Sequence, residues 1–227
     1  MAVSPRPFVL HHTRQRPVPG LEEVRLHLAD DVLELWRAVQ VATDDPDANL
    51  PYWAFAWAGG LAVCRYLREH PEVVAGRRVF DLGSGSGLCA IAALRAGASS
   101  VTAADVDPFA AAAIALNARA NGFRVTVAQR DVLDEDVPAV DVVLAGDTWY
   151  EAGLADRVLP WLRRVRARGI TILVGDPGRR YLPVGELVQI ADYDVQTTTE
   201  LEDLELTSGR VYTMRPAHQA GAIAGDR

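Results

Sequence analysis

The stretch Val79-Phe80-Asp81-Leu82-Gly83-Ser84-Gly85-Ser86-Gly87-Leu88 constrains the fold of this chain more than any other. Three apolar residues and an acid read as a short buried strand. Three glycines then let the backbone turn sharply before the apolar run from Leu88 to Leu94 starts a helix. Glycines at alternate positions strip the turn of β-carbons, so a ligand can lie on bare backbone beside the positive end of that helix. The spacing narrows the choice of ligand. A dinucleotide fingerprint, G-x-G-x-x-G, would need its third glycine at Leu88, so pyrophosphate binding is not favoured. Taken alone, the loop also admits the lesser reading of a strand-to-helix turn that holds nothing.

The chain beyond the loop keeps the alternation. Ser100 to Asp105 reads as a second strand whose closing acid stands about twenty residues past the loop, where a carboxylate accepts the hydroxyls of a ribose. Asp107 and Pro108 open the next helix as N-cap and first helical residue, with Phe109, Ala113, Leu116 and Ala120 on one face and Gly122 at its end. Asp105 is therefore the ligand candidate and Asp107 the cap. Val125 to Ala128 is a third strand, and Asp131 in the following loop is either a solvated turn residue or an acceptor for an adenine amino group. Val140 to Gly146 is a fourth strand running into Asp147-Thr148-Trp149-Tyr150; Leu154 to Arg168 is a helix and Gly169 to Gly175 a fifth strand. Tyr181 to Ile190 is expected as a helix, and Tyr193 to Thr198 and Arg210 to Met214 as closing strands. Strands alternating with helices imply an α/β, doubly wound, Rossmann-like fold with a seven-strand, mostly parallel sheet. A last pair joined only by a loop makes an antiparallel edge.

Upstream, residues 1–20 are rich in proline without periodicity and are expected as an irregular arm, followed by a strand from Leu21 to Leu28. Asp30 and Asp31 precede a helix carrying Val32, Leu33, Leu35, Trp36 and Val39, which covers the site or meets the substrate. After a turn at Asp44 to Asp47, the rings of Tyr52, Trp53, Phe55 and Trp57 crowd together in a chain only 7% aromatic, ahead of a helix from Leu61 to Glu69. They either staple the arm to the core or face a ligand, and Trp57 is a ligand-facing candidate because the glycine loop is near in sequence. The expected division is a 1–50 arm and cover helix, a 51–216 core and a frayed 217–227 tail.

A net charge of -7 argues against a broad nucleic-acid footprint, and the arginines from Arg163 to Arg168 are read as complementing a helix C-terminus. All 23 basic residues are arginine, so the chain has no lysine of its own to modify. No apolar run approaches a membrane span and the N-terminus lacks a signal-peptide core, so no membrane contact and a cytoplasmic location are expected. Cys64 and Cys89 read as small core residues. The sequence carries no H-x-x-x-H or C-x-x-C spacing and no G-x-S-x-G elbow, which speaks for group transfer without a metal rather than hydrolysis.

The loop's Asp-x-Gly-x-Gly-x-Gly pattern resembles motif I of class I S-adenosylmethionine (SAM) methyltransferases. Trp53 to Gly60, the loop from Asp81 to Gly87, Asp105-Val106-Asp107-Pro108, Asn117-Ala118, Gly146 to Tyr150 and Gly175-Asp176-Pro177-Gly178-Arg179 follow one another in order. Together they resemble the seven-strand protein-lysine methyltransferases that modify the β subunit of electron-transfer flavoprotein, and their bacterial relatives. The resemblance implies SAM as cofactor, with Asp81, Gly83 and Gly85 along its methionine part, Asp105 at the ribose, Asp131 by the adenine, Trp57 in contact, and Ser84, Gly87 and Val106 also among the cofactor-binding residues. It also implies a protein substrate presenting a lysine, whose channel Asp147 and Tyr150 border and Trp149 walls. Trp149 stands where other members often carry a smaller or differently shaped apolar group, which bears on acceptor choice. A methyltransferase for a small amine or another protein such as a ribosomal protein, a SAM-binding module without turnover, and a nucleotide-dependent dehydrogenase are the competing classes.

Overall fold

The computed structural model describes residues 3–197 and 207–216. In chain order the elements are α1 (Pro5–His12), β1 (Arg14–Val18), β2 (Leu21–Leu28), α2 (Val32–Thr43), α3 (Ala58–Glu69), β3 (Arg78–Leu82), α4 (Leu88–Arg95), β4 (Ser100–Asp105), α5 (Pro108–Ala120), β5 (Thr126–Gln129), β6 (Val142–Gly146), α6 (Ala152–Ala167), β7 (Thr171–Asp176), β8 (Leu187–Val195) and β9 (Thr207–Met214). The seven strands from β3 onward form one sheet in the order β5-β4-β3-β6-β7-β9-β8. The β3 to β7 pairings are parallel, while β9 runs antiparallel to both β7 and β8, which gives the expected edge.

Alternation along each strand divides the core between the two faces of the sheet. Val79, Val142, Leu144 and Leu173 pack in one layer with Leu61 and Leu67 of α3 and Ile91 of α4. Their neighbours Phe80, Val143, Ile172 and Val174 pack in the other with Val158, Trp161, Leu162 and Val165 of α6. Such strands, buried on both sides, read as continuous apolar runs, as parallel strands covered by helices should. The chain passes from β3 outward to β4 and β5, then returns to place β6 on the other side of β3. A sheet of this kind opens a crevice at the carboxyl ends of the strands where the order reverses.

Two expected elements differ. Residues 1–20 are not an irregular arm. Pro5 and Pro7 fall in the first turn of α1, where a missing N–H costs nothing, and Phe8 and Val9 are buried, with the Phe8 ring 4.6 Å from Phe109. β1 then pairs antiparallel with β2 as a separate two-stranded sheet. The expected helix from Tyr181 to Ile190 is instead a short 3-10 turn, Val184–Glu186, followed by β8. Pro183 and Gly185 deny that stretch a continuous helix, and pairing with β9 claims the rest. Thr198, the end of the expected strand, and the expected tail at 217–227 lie outside the described residues.

The N-terminal layer is tied to the loop through α5. The Asn117 side chain accepts a hydrogen bond from His27 N at 2.7 Å and donates to Ser86 O at 2.8 Å. Asn121 closes a second pair with the backbone of Arg25, at 3.0 and 2.7 Å. The basic run at the end of α6 is spent internally: Arg163 and Arg166 pair with Glu186, and Arg168 donates to Val137 O. No helix among the described residues is long and apolar enough to cross a membrane.

Candidate active site

The turn after β3 places Gly83, Gly85 and Gly87 at φ +60°, +53° and +81°, conformations that glycine adopts without steric penalty. Asp81 is 1% exposed, and its Oδ2 accepts from Ser84 Oγ at 2.5 Å and from Ala90 N at 3.1 Å, so the acid joins the loop to α4. Asp105 reaches back from β4: its Oδ2 accepts from Gly85 N at 2.8 Å and its Oδ1 from Asp107 N at 3.0 Å. Asp107 caps α5 by accepting from Phe109 N at 2.7 Å, as its position before Pro108 implied. Both ligand candidates therefore also build the loop; each Asp105 oxygen keeps lone-pair capacity, whereas Oδ2 of Asp81 already accepts two hydrogen bonds.

Burial pushes the Asp81 carboxyl up to about 7, with the Ser84 and Ala90 hydrogen bonds opposing the rise and the charge of Asp105 adding to it. Burial also raises Asp105. For an acid raised on folding, the stabilising contribution is complete below the ordinary carboxyl value of 3.8 and is lost as pH climbs through about 7. Near neutral pH Asp81 is thus partly protonated, and a positive charge arriving beside it drives the proton off. Calorimetry of ligand binding at pH 7 in buffers of different ionisation heat is expected to show release of a fraction of a proton, and Asp81→Asn is expected to remove it. Enthalpies independent of buffer in the unsubstituted protein would contradict that reading of Asp81.

At the end of β6, Asp147 takes φ +57°, a left-handed conformation tolerated by aspartate, and its N–H donates to Gly175 O at 2.8 Å. Its carboxylate accepts from Gly59 N at 3.1 Å and Gly60 N at 2.6 Å and pairs with Arg179, which also lies 3.5 Å from Asp176 Oδ2. Asp147 therefore caps α3, whose N-cap residue Trp57 contributes no side-chain bond, and it does not cap α6, where Glu151 holds that position. Of the four acceptor positions of a carboxylate, Oδ1 uses two and Oδ2 one. Among the described residues, one position on Oδ2 remains.

These groups line a single cavity of about 970 Å³, within the range of roughly 300–1,000 Å³ common for small-ligand sites. Asp81, Gly83, Ser84 and Gly85 line it, as do Asp105, Val106 and Asp131 and also Trp57, Asp147 and Tyr150. Asp131 accepts from Leu133 N at 3.0 Å and from Arg157 at 2.8 Å, and the guanidinium holds its carboxyl below the usual range. Gly87 and Trp149 do not line the cavity. A Cβ on Gly87 would lie 3.3 Å from Ile114 Cα, so this glycine lets α4 approach α5. Trp149 is 1% exposed and packs in the core layer under α6, which removes it from the channel wall expected from sequence.

Three further lining residues went unassigned in the sequence. Tyr52 places its ring 4.8 Å from that of Tyr150 and 5.6 Å from that of Trp57. Arg179 closes over Asp147, and Thr43 at the end of α2 brings the N-terminal layer to the cavity. Tyr52 opens the aromatic run and Arg179 closes Gly-Asp-Pro-Gly-Arg, so both signals were present without an indication of what they touched.

Comparison with known proteins agrees with this geometry. Residues 64–146 match the family model described as ribosomal protein L11 methyltransferase (PrmA). A ribosomal protein L11 methylase structure from Lactobacillus delbrueckii subsp. bulgaricus shares the fold, with TM-score 0.52 and 20% identity over 75% of this chain and 83% of that one. Over 172 residues, 73% of this chain and 68% of the relative, the chain is 40% identical to the electron transfer flavoprotein beta subunit lysine methyltransferase of Rattus norvegicus. Against the protein of that name from Xenopus laevis the identity is 38% over 221 residues, 95% of this chain and 89% of the relative. Likeness at that level, running through the N-terminal layer as well as the glycine loop, makes this chain a methyltransferase of the electron transfer flavoprotein beta subunit lysine methyltransferase family.

Proposed function

We propose that the chain transfers a methyl group from SAM to the side-chain amine of a lysine on a protein, the β subunit of electron transfer flavoprotein or a protein like it. The observation that carries this reading is the convergence of the glycine turn, Asp105 and the Asp147–Arg179 pair on one cavity, in a chain 38% identical to a lysine methyltransferase over 95% of its length. The residues fit the cofactor. The turn is open backbone, and a Cβ at Gly83 would crowd Thr148 Cγ2 at 3.3 Å. Asp105 and Asp131 keep acceptor capacity for ribose hydroxyls and an adenine amino group. We read residues 51–216 as the catalytic core and 1–50 as its cover, with α2 lining the cavity through Val39 and Thr43. The buried free thiols of Cys64 and Cys89 suit a reducing compartment such as the cytoplasm.

When bound, SAM supplies a sulfonium methyl that a nucleophile displaces in line, so the protein's work is alignment and exclusion of water. The lysine amine has to be neutral to attack, which costs roughly 4.6 kcal/mol at pH 7 for an unperturbed amine. An isolated carboxylate beside it would raise that cost by favouring the ammonium. Here the Asp147 charge is already met by Arg179 and by the Gly59 and Gly60 N–H groups. Its remaining Oδ2 position accepts one N–H of the neutral amine and orients the lone pair, while Tyr150 walls the channel and the amine's proton leaves to water.

Incubation of the purified chain with labelled SAM and a lysate, followed by mass spectrometry of the labelled species, tests the assignment. The expected product is methyl-lysine on the flavoprotein subunit. Label confined to a small amine, or none despite SAM binding, would end it. A ribosomal protein as acceptor is the second reading, favoured by the match at residues 64–146, and the same experiment separates the two.

A further inference from the structure

We propose that Tyr52, Trp57 and Tyr150 form a box for a methylated ammonium, so that the cavity binds the acceptor nitrogen through ring faces once methyl groups have replaced its hydrogens. The inference rests on the lysine methyltransferase reading above. The three rings line the cavity together with Asp147, and Tyr52 is their hub, with centroids 4.8 Å from Tyr150 at an interplanar angle of 39° and 5.6 Å from Trp57 at 61°. Trp57 is fixed by donation from its Nε1 to Tyr52 O at 2.8 Å and backed by Phe55 at 6.1 Å. A cation within about 6 Å of an aromatic centroid, over the ring face, is attracted by the ring quadrupole. Neighbouring walls inclined to one another, as Tyr52 and Trp57 are, let one cation face both.

The electrostatics favour that ligand. Burial and the charge of Glu151 raise the Tyr52 hydroxyl, with the Arg179 guanidinium opposing the rise, and burial, Tyr52, Asp105 and Glu151 push Tyr150 up to about 12. Both phenols therefore stay neutral at physiological pH, with carboxylates close enough to add negative potential. Each methyl added to an amine removes one N–H, so the hydrogen bond to Asp147 that orients a free amine weakens in number and is unavailable to a fully substituted one. Ring faces need no N–H. They become the surface that holds the nitrogen as its hydrogen-bonding capacity falls.

The test uses the full chain saturated with S-adenosylhomocysteine, the neutral demethylated product, so that no sulfonium occupies the cavity. Acetyl-Nε-trimethyllysine methylamide and its isostere with carbon in place of the charged nitrogen are titrated by calorimetry or NMR. The charged compound is expected to bind about tenfold more tightly, a preference kept in Tyr52→Phe and reduced to about twofold or less in Tyr52→Leu and Tyr150→Leu. Tyr150 is 41% exposed, so its variant carries the comparison even where Tyr52→Leu fails to fold. Equal binding of the two compounds overturns the inference. So does a preference seen only without S-adenosylhomocysteine, which would assign the rings to the cofactor's sulfonium. Failure of the folded chain to bind S-adenosylhomocysteine overturns the methyltransferase reading itself, and this inference with it.

Discussion

Gly59→Ala is expected to lower the stability of this protein by about 3 kcal/mol, an overpacking cost at the upper end of the usual range. A β-carbon at Gly59 would lie inside contact distance of the Gly175 carbonyl and 2.7 Å from Asp147 Oδ2. Neither neighbour can yield. Gly175 is backbone in the interior of β7, paired with Gly146 on one side and Val211 on the other. Asp147 is held by the N–H groups of Gly59 and Gly60 themselves. The helix α3 would have to lift off the sheet, breaking its own cap. For a chain of this length the cost corresponds to a fall in melting temperature of about 10 °C, readable by calorimetry or circular dichroism. Gly185→Ala is the control, since nothing lies within 4 Å of that position, and it is expected to melt like the parent. If both variants melted alike, the close approach of α3 to β7 would not be the constraint argued here.

That contact also marks where the sequence stops being legible. The sheet could be read because each parallel strand is a short apolar run with glycine or proline punctuation, and Asp107-Pro108 announces its helix by capping chemistry that is entirely local. Asp105 was separable from Asp107 for the same reason. Trp149 was not readable. It sits two residues after Asp147 and one before Tyr150, both at the cavity, yet its side chain leaves on the opposite side of the backbone into the layer of Trp161 and Val174. Motif proximity carries no information about that direction. Asp147 was placed at the acceptor channel by resemblance alone, and no local signal showed that it also caps α3, 87 residues earlier in the chain. The helix at 181–190 failed because local apolar spacing competes with pairing to β9, a long-range term that no window of sequence contains. Arg179 belongs with these cases. Its meaning depends on which carboxylate the loop after β7 brings to it.

Substitution of that pair is expected to produce the largest change in turnover. Asp147→Asn should reduce kcat by about a hundredfold with SAM affinity preserved, a loss comparable to removing one preorganised polar group at a reacting centre. The amide's NH₂ would face either the Gly60 N–H or the Arg179 guanidinium, donor against donor, and the acceptor that orients the amine would be displaced. Arg179→Met separates charge from position. With the guanidinium gone, Asp147 keeps its two backbone donors but its negative charge is less compensated, and that charge favours the ammonium form of the bound lysine. The bound amine then loses its proton only at higher pH, so the acid limb of the kcat profile, which reports groups in the substrate complex, should move alkaline by about one unit. The rate should recover on the alkaline plateau. A merely structural role for Arg179 would lower the rate at every pH alike and leave the limb in place. A limb displaced toward acid would show that the guanidinium had been favouring the ammonium, the reverse of the argument that lets a carboxylate stand beside a nucleophilic amine.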